Sequence, residues 1–237
     1  MQIIAHRGAS AEYRENTVPA YARAIELGVD FIELDLHLSK DGIPVCHHDA
    51  ELHMAKDKGL STFISDHNLQ SIRSTLDGHY EIPSLLEVLH LDRFHVGLML
   101  ELKLDKNPIP ELVRSVVDLV RAHAARCQGR ILVGSLSAEV HRALVPHVPR
   151  DSRIGIVDTV ADFPAHMAED PLYLALNHKL ADARSVQRLV ETGHRVWTWT
   201  VNDPERALEL ASYGVSGIIT DDPAKIQSAF ADSGRSA

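Results

Sequence analysis

Eight short apolar runs alternate with amphipathic stretches along the chain, and this alternation restricts the possible fold more than any other feature. Runs of this length predict buried strands, and stretches such as IPELVRSVVDLVRAHAA have the spacing of an amphipathic helix. Eight strand–helix units are the number that closes a barrel of parallel strands, so we predict an α/β fold, a TIM (β/α)8 barrel. The predicted strands lie near residues 2–6, 31–36, 97–102, 131–136, 153–157, 172–177, 195–201 and 217–220.

The length of 237 residues and the apolar content of 45% suit one barrel domain over residues 1–237. Residues 37–96 are too many for a single helical crossover. Within them, Asp41-Gly42 is a tight-turn signal between LHLS and IPVCHH, which predicts a hairpin that extends the second strand. The polar segment from Asp49 to Glu81 predicts an irregular excursion. We expect the insertion, at about residues 37–82, to cap the barrel mouth.

Capping side chains or first-turn prolines mark the start of several predicted helices, because they satisfy or remove unpaired N–H groups. These signals are Asn16-Thr17, Pro83-Ser84, Asp203-Pro204 and Asp222-Pro223.

Acidic side chains lie inside two of the apolar runs. Glu33 and Asp35 lie within FIELDLHL, and Glu101 lies within GLMLEL. Because alternate residues of a strand share a face, Glu33, Asp35 and His37 point one way, and Glu101 and Lys103 share a face of the next strand. In a barrel, such polar side chains must point inward at the C-terminal mouth, where barrel enzymes keep their active sites.

The three carboxylates are candidate metal ligands. Carboxylates that converge in a low dielectric repel one another, and one divalent cation, Mg²⁺ or Ca²⁺, is the usual solution. Without a cation, the cluster is expected to raise its own pKa values. The alternative for Glu33 or Glu101 is a buried ion pair with Arg7 or Lys103.

Histidine is abundant, at 15 residues, so a single histidine carries little information. His6 directly follows the first apolar run and His48 ends the hairpin strand in PVCHHD, so both can face the mouth, whereas alternation points His47 elsewhere. Two imidazoles that titrate near neutrality can act as a general acid and a general base. A solvated or half-packed position on helices or loops is expected for others, such as His90, His123, His141, His147 and His166.

Arg7 and Lys103 are candidates for binding an anionic group. A planar guanidinium suits phosphate oxygens and an ammonium adds a point charge, so the pair beside a metal favours a phosphoryl group over a neutral sugar. Pairing with carboxylates is the alternative role for either residue. Trp197 and Trp199 share one strand face; a core position is the default, but Trp199, near the strand end, is expected to form an apolar wall for a small polyol.

Composition argues against other classes of protein. The net charge is -9, and clustered Lys and Arg are missing, so broad nucleic-acid binding is not expected. The apolar runs are shorter than the roughly 20 residues that span a bilayer, so no stable membrane insertion is expected. Cys46 and Cys127 do not form a disulfide framework, and the N-terminus enters a strand at once, so we expect a cytoplasmic protein. The sequence gives no prediction of the oligomeric state.

The motifs of the chain resemble those of the glycerophosphodiester phosphodiesterase family over essentially the whole predicted barrel. In order, they are AHRGAS with RENT, FIELDLHLSKDGIPVCHHD, IPSLLEVL, LMLELK, VWTWTVND and GVSGIITDDP. HRG followed by ENT is distinctive, and its combination with ELD, HHD and ELK is highly specific. The resemblance implies a TIM barrel that hydrolyses glycerophosphodiesters, such as deacylated phospholipids, to glycerol 3-phosphate and an alcohol.

The resemblance also implies a role for each candidate residue. Metal ligation is implied for Glu33, Asp35 and Glu101, acid/base catalysis for His6 and His48, phosphate binding for Arg7 and Lys103, and a substrate wall for Trp199. It further implies that the neighbouring glycerol hydroxyl attacks phosphorus, giving a cyclic phosphate that water then opens.

One loop departs from the family pattern. After the HD dipeptide the family usually continues with an Arg-Thr-Thr run before Gly, whereas this chain reads AELHMAKDKGLSTF, with Met54 or His53 at the usual Arg position. The leaving-group preference therefore stays open. So do two alternatives: a lysophospholipase D-type hydrolase, which needs an apolar groove or membrane-contacting loop, and a barrel that binds phosphodiesters without turnover. The intact set of catalytic and metal residues favours an enzyme.

Overall fold

Eight parallel strands close into a barrel, and a short ninth strand pairs antiparallel with the end of the second barrel strand. The computed structural model describes residues 1–76, 80–91, 96–123 and 130–234. The strands are β1 (Gln2–Ala5), β2 (Phe31–Leu38), β3 (Pro44–Cys46), β4 (Gly97–Leu102), β5 (Ile131–Ser135), β6 (Arg153–Val157), β7 (Tyr173–Asn177), β8 (Arg195–Trp199) and β9 (Gly217–Thr220). Because β1 pairs in parallel with both β2 and β9, the sheet is closed. The predicted TIM barrel is confirmed.

Helices follow the barrel strands along the chain. They are α1 (Val18–Glu26), α2 (His53–Asp57), α3 (Leu69–Thr75), α4 (Leu85–Leu89), α5 (Ile109–His123), α6 (Ala138–Leu144), α7 (Phe163–Met167), α8 (Ala183–Glu191), α9 (Pro204–Ser212) and α10 (Pro223–Ser233). Short 3₁₀ turns lie at Ile64–Asp66, Arg150–Ser152 and Val160–Asp162. Within the part of the chain that the structure describes, no helix combines the length and the apolar character that crossing a membrane requires.

Three of the four predicted helix starts are capped by the expected side chain. Ser84, Asp203 and Asp222 each accept a hydrogen bond from a backbone N–H of the first helical turn. Thr17 precedes α1 but makes no such bond, and its hydroxyl instead donates to the carbonyl oxygen of Arg14. The helix start predicted at Asn16-Thr17 is therefore confirmed, with a proline in the first turn and without a side-chain cap.

An aromatic cluster fills the N-terminal half of the barrel interior. The Trp197 ring lies edge-on to Phe31 and Tyr173, with ring centroids 5.0 and 5.2 Å away, and Trp197 is fully buried. Glycines make room for these rings: a Cβ atom on Gly97 would lie 2.3 Å from the Phe31 ring, and one on Gly217 would lie 2.4 Å from Trp197. The core position expected for Trp197 is confirmed, and polar side chains are left to the opposite end.

The segment between β2 and α4 is more regular than predicted. The predicted hairpin is confirmed, because β3 runs antiparallel to β2 with Cys46 opposite Leu36. The irregular excursion predicted for residues 49–81 is wrong, since the described part of it contains α2, a 3₁₀ turn and α3. These pack around a separate apolar cluster, whose members are Val45, Leu52, Ala55, Ile64, Ile72, Leu76 and Ile82. The apolar residues of this cluster alternate with polar residues along the chain, so the sequence shows no continuous apolar run that would indicate their common buried face.

Two histidines expected near the surface are buried and bonded to each other. His141 and His166 are both 0% exposed, and their Nδ1 atoms lie 2.8 Å apart. His166 Nε2 lies 3.2 Å from the carbonyl oxygen of Leu136 and donates to it, so His166 Nδ1 accepts from His141. Gly155 makes the space, since a Cβ there would lie 3.3 Å from His166. The surface or half-packed position is thus wrong for this pair, and it is confirmed for His90, His123 and His147.

Candidate active site

Three carboxylates converge where β2 and β4 reach the C-terminal end of the barrel. Glu33 and Asp35 alternate along β2, and Asp35 lies beside Glu101 in the parallel register of the two strands. One oxygen atom from each carboxylate lies within 4.8 Å of the other two, and all three side chains are buried. The structure therefore brings together the three carboxylates that alternation predicted to meet.

The oxygens of Glu33 differ in their bonding. Oε2 accepts a hydrogen bond from the backbone N–H of Arg7 at 3.0 Å. Oε1 is buried and has no hydrogen-bond partner among the described residues. A buried carboxylate oxygen without a partner is costly, and hard divalent cations bind oxygen ligands of this type. The donor set therefore fits Mg²⁺ or Ca²⁺.

The pKa values of the cluster move in different directions. Burial, and then repulsion from Asp35 and Glu101, raises the pKa of Glu33 well above its usual value. Burial also raises the pKa of Glu101, with Asp35 adding to the effect and Lys103 opposing it. Burial alone would raise the pKa of Asp35, but Lys103 and Arg7 hold it below its usual value. The expectation of raised pKa values is thus wrong for Asp35, because both of its oxygens face cations.

Lys103 and Arg7 pair with the carboxylates. Lys103 Nζ lies 2.8 Å from Glu101 Oε1 and 2.9 Å from Asp35 Oδ1. Arg7 Nε lies 3.0 Å from Asp35 Oδ2, and its Nη1 lies 2.9 Å from Glu15 Oε2. The carboxylate pairing considered as an alternative is therefore present, and both side chains also line the cavity described next.

A cavity opens above the carboxylates, and seven of the eight candidate residues line it. Its polar wall contains His6, Arg7, Glu33, His48, Glu101 and Lys103, and its apolar wall contains Met99, Leu136, Ile156, Trp199 and Ile219. Asp35 is not part of this lining and is only 1% exposed. The indole N–H of Trp199 donates to the carbonyl oxygen of Ala175 at 3.0 Å, which holds the ring in place.

His6 and His48 each place Nδ1 beside a carboxylate. His6 Nδ1 lies 2.7 Å from Asp221 Oδ1, and His48 Nδ1 lies 2.8 Å from Asp49 Oδ1. The other nitrogen of His6, Nε2, lies 3.9 Å from Glu33 Oε2. An Nδ1–H that donates to a carboxylate leaves Nε2 as the nitrogen that can exchange a proton with a substrate.

Asn16, interpreted in the sequence only as part of a helix start, holds Asp35 in place. It is 3% exposed and has a positive φ of 54°. Its Nδ2 donates to Asp35 Oδ2 at 2.8 Å, and its Oδ1 accepts from the Asp35 N–H at 3.3 Å and from the Tyr21 hydroxyl at 3.0 Å. The signal that could have indicated this role is the ENT motif.

His37 is a second residue whose contribution was missed. It is buried, its Nδ1 lies 3.1 Å from Asp105 Oδ2, and its Nε2 lies 3.1 Å from the backbone oxygen of His48. β2 therefore supports the segment that carries His48. Its shared strand face with Glu33 and Asp35 was visible in the sequence, but its partners were not.

A closed (β/α)8 barrel whose mouth combines buried carboxylates, cations and histidines belongs to the class of barrel enzymes. The model of the glycerophosphoryl diester phosphodiesterase family matches residues 6–225. The chain therefore belongs to this family, as its motifs predicted.

The chain is also similar to individual relatives and to a solved structure over most of its length. A glycerophosphodiester phosphodiesterase from Caldanaerobacter subterraneus subsp. tengcongensis is 30% identical, over 93% of this chain and 94% of the relative. A lysophospholipase D from Rattus norvegicus is 23% identical, over 94% of this chain and 84% of the relative. The structure of an Oleispira antarctica phosphodiesterase in complex with the product sn-glycerol-3-phosphate superposes with a TM-score of 0.84 at 28% identity, covering 97% and 96% of the two chains.

Proposed function

We propose that this enzyme hydrolyses glycerophosphodiesters to glycerol 3-phosphate and an alcohol, with the help of one divalent cation. The observation that carries the proposal is the lining of the mouth cavity, where buried carboxylates, two histidines and two cationic side chains meet. Membership of the phosphodiesterase family and the glycerol-3-phosphate complex of the Oleispira antarctica enzyme support the same substrate class.

Glu33, Asp35 and Glu101 would hold Mg²⁺ or Ca²⁺, and Glu33 Oε1, which has no hydrogen-bond partner within the described ranges, is the atom that most needs it. When bound, the cation supplies positive charge to the phosphate and lowers the pKa of a substrate hydroxyl. Arg7 and Lys103 bind the phosphate oxygens from the same cavity wall, where their charges stabilise the transition state.

His6 and His48 act as the acid/base pair. One imidazole removes the proton from the glycerol hydroxyl that attacks phosphorus, and the other protonates the departing alcohol oxygen. Water then opens the cyclic phosphate by the reverse transfers. Trp199, with Leu136 and Ile156, packs against the carbon skeleton of the glycerol and fixes its orientation.

A panel of phosphodiesters tests the proposal. Purified protein is incubated with glycerophosphocholine, glycerophosphoethanolamine and glycerophosphoglycerol, each with Mg²⁺, with Ca²⁺ or with a chelator. We expect release of glycerol 3-phosphate that the chelator abolishes and added ion restores. Binding of these compounds without product release would show a non-catalytic binding barrel instead.

A lysophospholipase D activity is the second candidate. Exposed apolar side chains follow three neighbouring strands at the mouth, namely Leu104 after β4, Leu136 after β5 and Val160 after β6. They could contact an acyl chain, which the preferred substrate lacks. Lysophosphatidylcholine is therefore assayed beside glycerophosphocholine, and a higher kcat/KM on the lysolipid would favour this activity.

A further inference from the structure

Asp221 lies next to His6, although the two residues are far apart in the sequence. Asp221 follows β9, and His6 follows the neighbouring strand β1. The Asp221 Oδ1 atom lies 2.7 Å from His6 Nδ1. The backbones are joined at the same level, since the N–H of His6 donates to the carbonyl oxygen of Thr220 at 2.8 Å. The Ser10 hydroxyl lies 2.8 Å from the carbonyl oxygen of His6 and 3.2 Å from Asp221 Oδ1.

Asn202 holds the carboxylate from the other side. Its Nδ2 donates to Asp221 Oδ2 at 2.6 Å, and its Oδ1 accepts from the Asp221 N–H at 2.9 Å and from the Thr220 hydroxyl at 2.9 Å. Both oxygens of Asp221 are therefore fixed. Burial alone would raise the pKa of Asp221, but hydrogen bonds from His6 and Asn202 keep it below its usual value, so the carboxylate stays ionised.

We propose that Asp221 is a positioning residue for His6. Its carboxylate accepts the Nδ1–H of His6 and so presents Nε2 to the substrate, while Asn202 fixes the carboxylate. A carboxylate behind a functional histidine sets both the tautomer and the orientation of the ring. The Nε2 atom lies 3.9 Å from Glu33, on the side of the cavity, as this role requires. The inference rests on the proposed function, because His6 is one of its acid/base residues.

The first test is the variant Asp221→Asn, which keeps the size of the side chain. Its amide can donate to Nδ1, and this favours the tautomer that carries the proton on Nε2. We expect kcat for glycerophosphocholine to fall by roughly 10²- to 10⁴-fold, with little change in KM, because ring geometry and not substrate binding is altered.

The matched control is Asp222→Asn at the next position. Asp222 caps α10 through the Lys225 N–H, and asparagine caps helices equally well. The control removes the same charge from the same loop, so a general electrostatic effect of the loop would lower kcat in both variants. Equal losses in the two variants would overturn the inference.

Two further measurements separate positioning from a merely structural role. In isotope-labelled protein, nitrogen NMR shifts of the His6 ring should show the Nδ1–H tautomer in the wild type and a shift toward Nε2–H in Asp221→Asn. In a double-mutant cycle, Asp221→Asn should cost nothing more once His6→Ala is present, because Asp221 acts only through His6. An unchanged tautomer, or losses that multiply in the double variant, would overturn the inference.

Asn202→Ala provides the test if Asp221→Asn does not fold. It releases the carboxylate without touching His6, and we expect kcat to fall by about 10-fold at constant KM. A wild-type kcat in this variant, or in a folded Asp221→Asn variant, would overturn the positioning role of Asp221 and leave the proposed function intact. A wild-type protein that hydrolyses none of the glycerophosphodiesters overturns the proposed function and this inference with it.

Discussion

At the level of single residues, the same charged side chain of this site can lower the stability of the fold and be required for function. Glu33 is buried beside Asp35 and Glu101, so its charge destabilises the protein without a cation. The same charge, together with an Oε1 atom that no described residue hydrogen-bonds, is what a divalent cation would bind. Asp35 differs, because Lys103, Arg7 and Asn16 already surround its carboxylate. Residue type alone does not reveal this difference, since both are acidic residues on one strand face.

Replacing Glu33→Gln should separate the two demands. The amide removes one of three converging negative charges, so we expect the metal-free protein to gain about 1 kcal/mol or more in free energy of unfolding. Metal-dependent turnover should disappear, because a ligand charge is lost. Denaturant unfolding in the presence of a chelator and the glycerol 3-phosphate assay check the two effects. Glu81→Gln, at an exposed site in the loop before α4, serves as the control and should change neither. Near-normal turnover in Glu33→Gln would contradict its assignment as a ligand.

Asn16→Gly should weaken metal binding. Glycine accepts the positive φ of this position without strain, so the change removes mainly the hydrogen bonds to Asp35. We expect the Kd for Mg²⁺ or Ca²⁺, measured by calorimetry, to rise by roughly 10- to 100-fold, as is usual when a group that orients a metal ligand is lost. An unchanged Kd would show that Lys103 and Arg7 alone are sufficient to orient Asp35.

At the scale of elements, the strands were predictable and the partners of helical side chains were not. A buried parallel strand is a short apolar run, so each predicted strand agrees with the structure to within two residues at its ends. α6 and α7 are short helices that contain His141 and His166, and the sequence pattern places these polar residues near the surface. They are buried against each other, with their Nδ1 atoms 2.8 Å apart, and the neighbouring Gly155 leaves room for the His166 side chain. A sequence pattern does not show which polar residues will meet.

The His141–His166 pair should make stability depend on pH. Burial, followed by the charges of His166 and Arg153, lowers the pKa of His141 to about 3, and burial also lowers the pKa of His166. Below about pH 6.5 these histidines bind protons in the unfolded chain but not in the folded protein. The free energy of unfolding therefore decreases as the pH is lowered, by up to about 1.4 kcal/mol per pH unit for each histidine. His141→Gln should flatten this decline. Urea unfolding of both proteins between pH 7 and pH 5.5 checks it, and parallel curves would contradict it.

At the scale of the whole molecule, the barrel divides into an aromatic N-terminal half and a polar C-terminal mouth. Phe31, Tyr173 and Trp197 fill the first half, and the candidate catalytic residues surround the second. A packed interior below the mouth keeps the strand ends in fixed positions, as a site assembled from several strands requires. That the chain forms one domain, and that the insertion caps the mouth, stay predictions.

Gly217→Ala should therefore be costly although it adds one methyl group. The new Cβ would lie 2.4 Å from the buried Trp197 ring, which also packs against the rings of Phe31 and Tyr173. We expect a loss of about 1–3 kcal/mol in free energy of unfolding, the usual range for an overpacked core. Gly234→Ala, where the nearest atom is 3.6 Å away, should be nearly neutral. Thermal unfolding of both variants gives the comparison, and equal effects would show that the aromatic cluster can shift.

The sequence by itself determined the number of barrel strands, the barrel and the strand face on which Glu33, Asp35 and Glu101 lie, because these follow from local periodicity and the alternation of side chains. It also determined the family, through motifs that keep their order and spacing. Only the tertiary structure decided that Asn16 supports Asp35, that Asp221 and Asn202 stand behind His6, and that Asp35 keeps a low pKa. These contacts join residues distant along the chain, and their energies depend on distances and burial that appear only when the barrel closes.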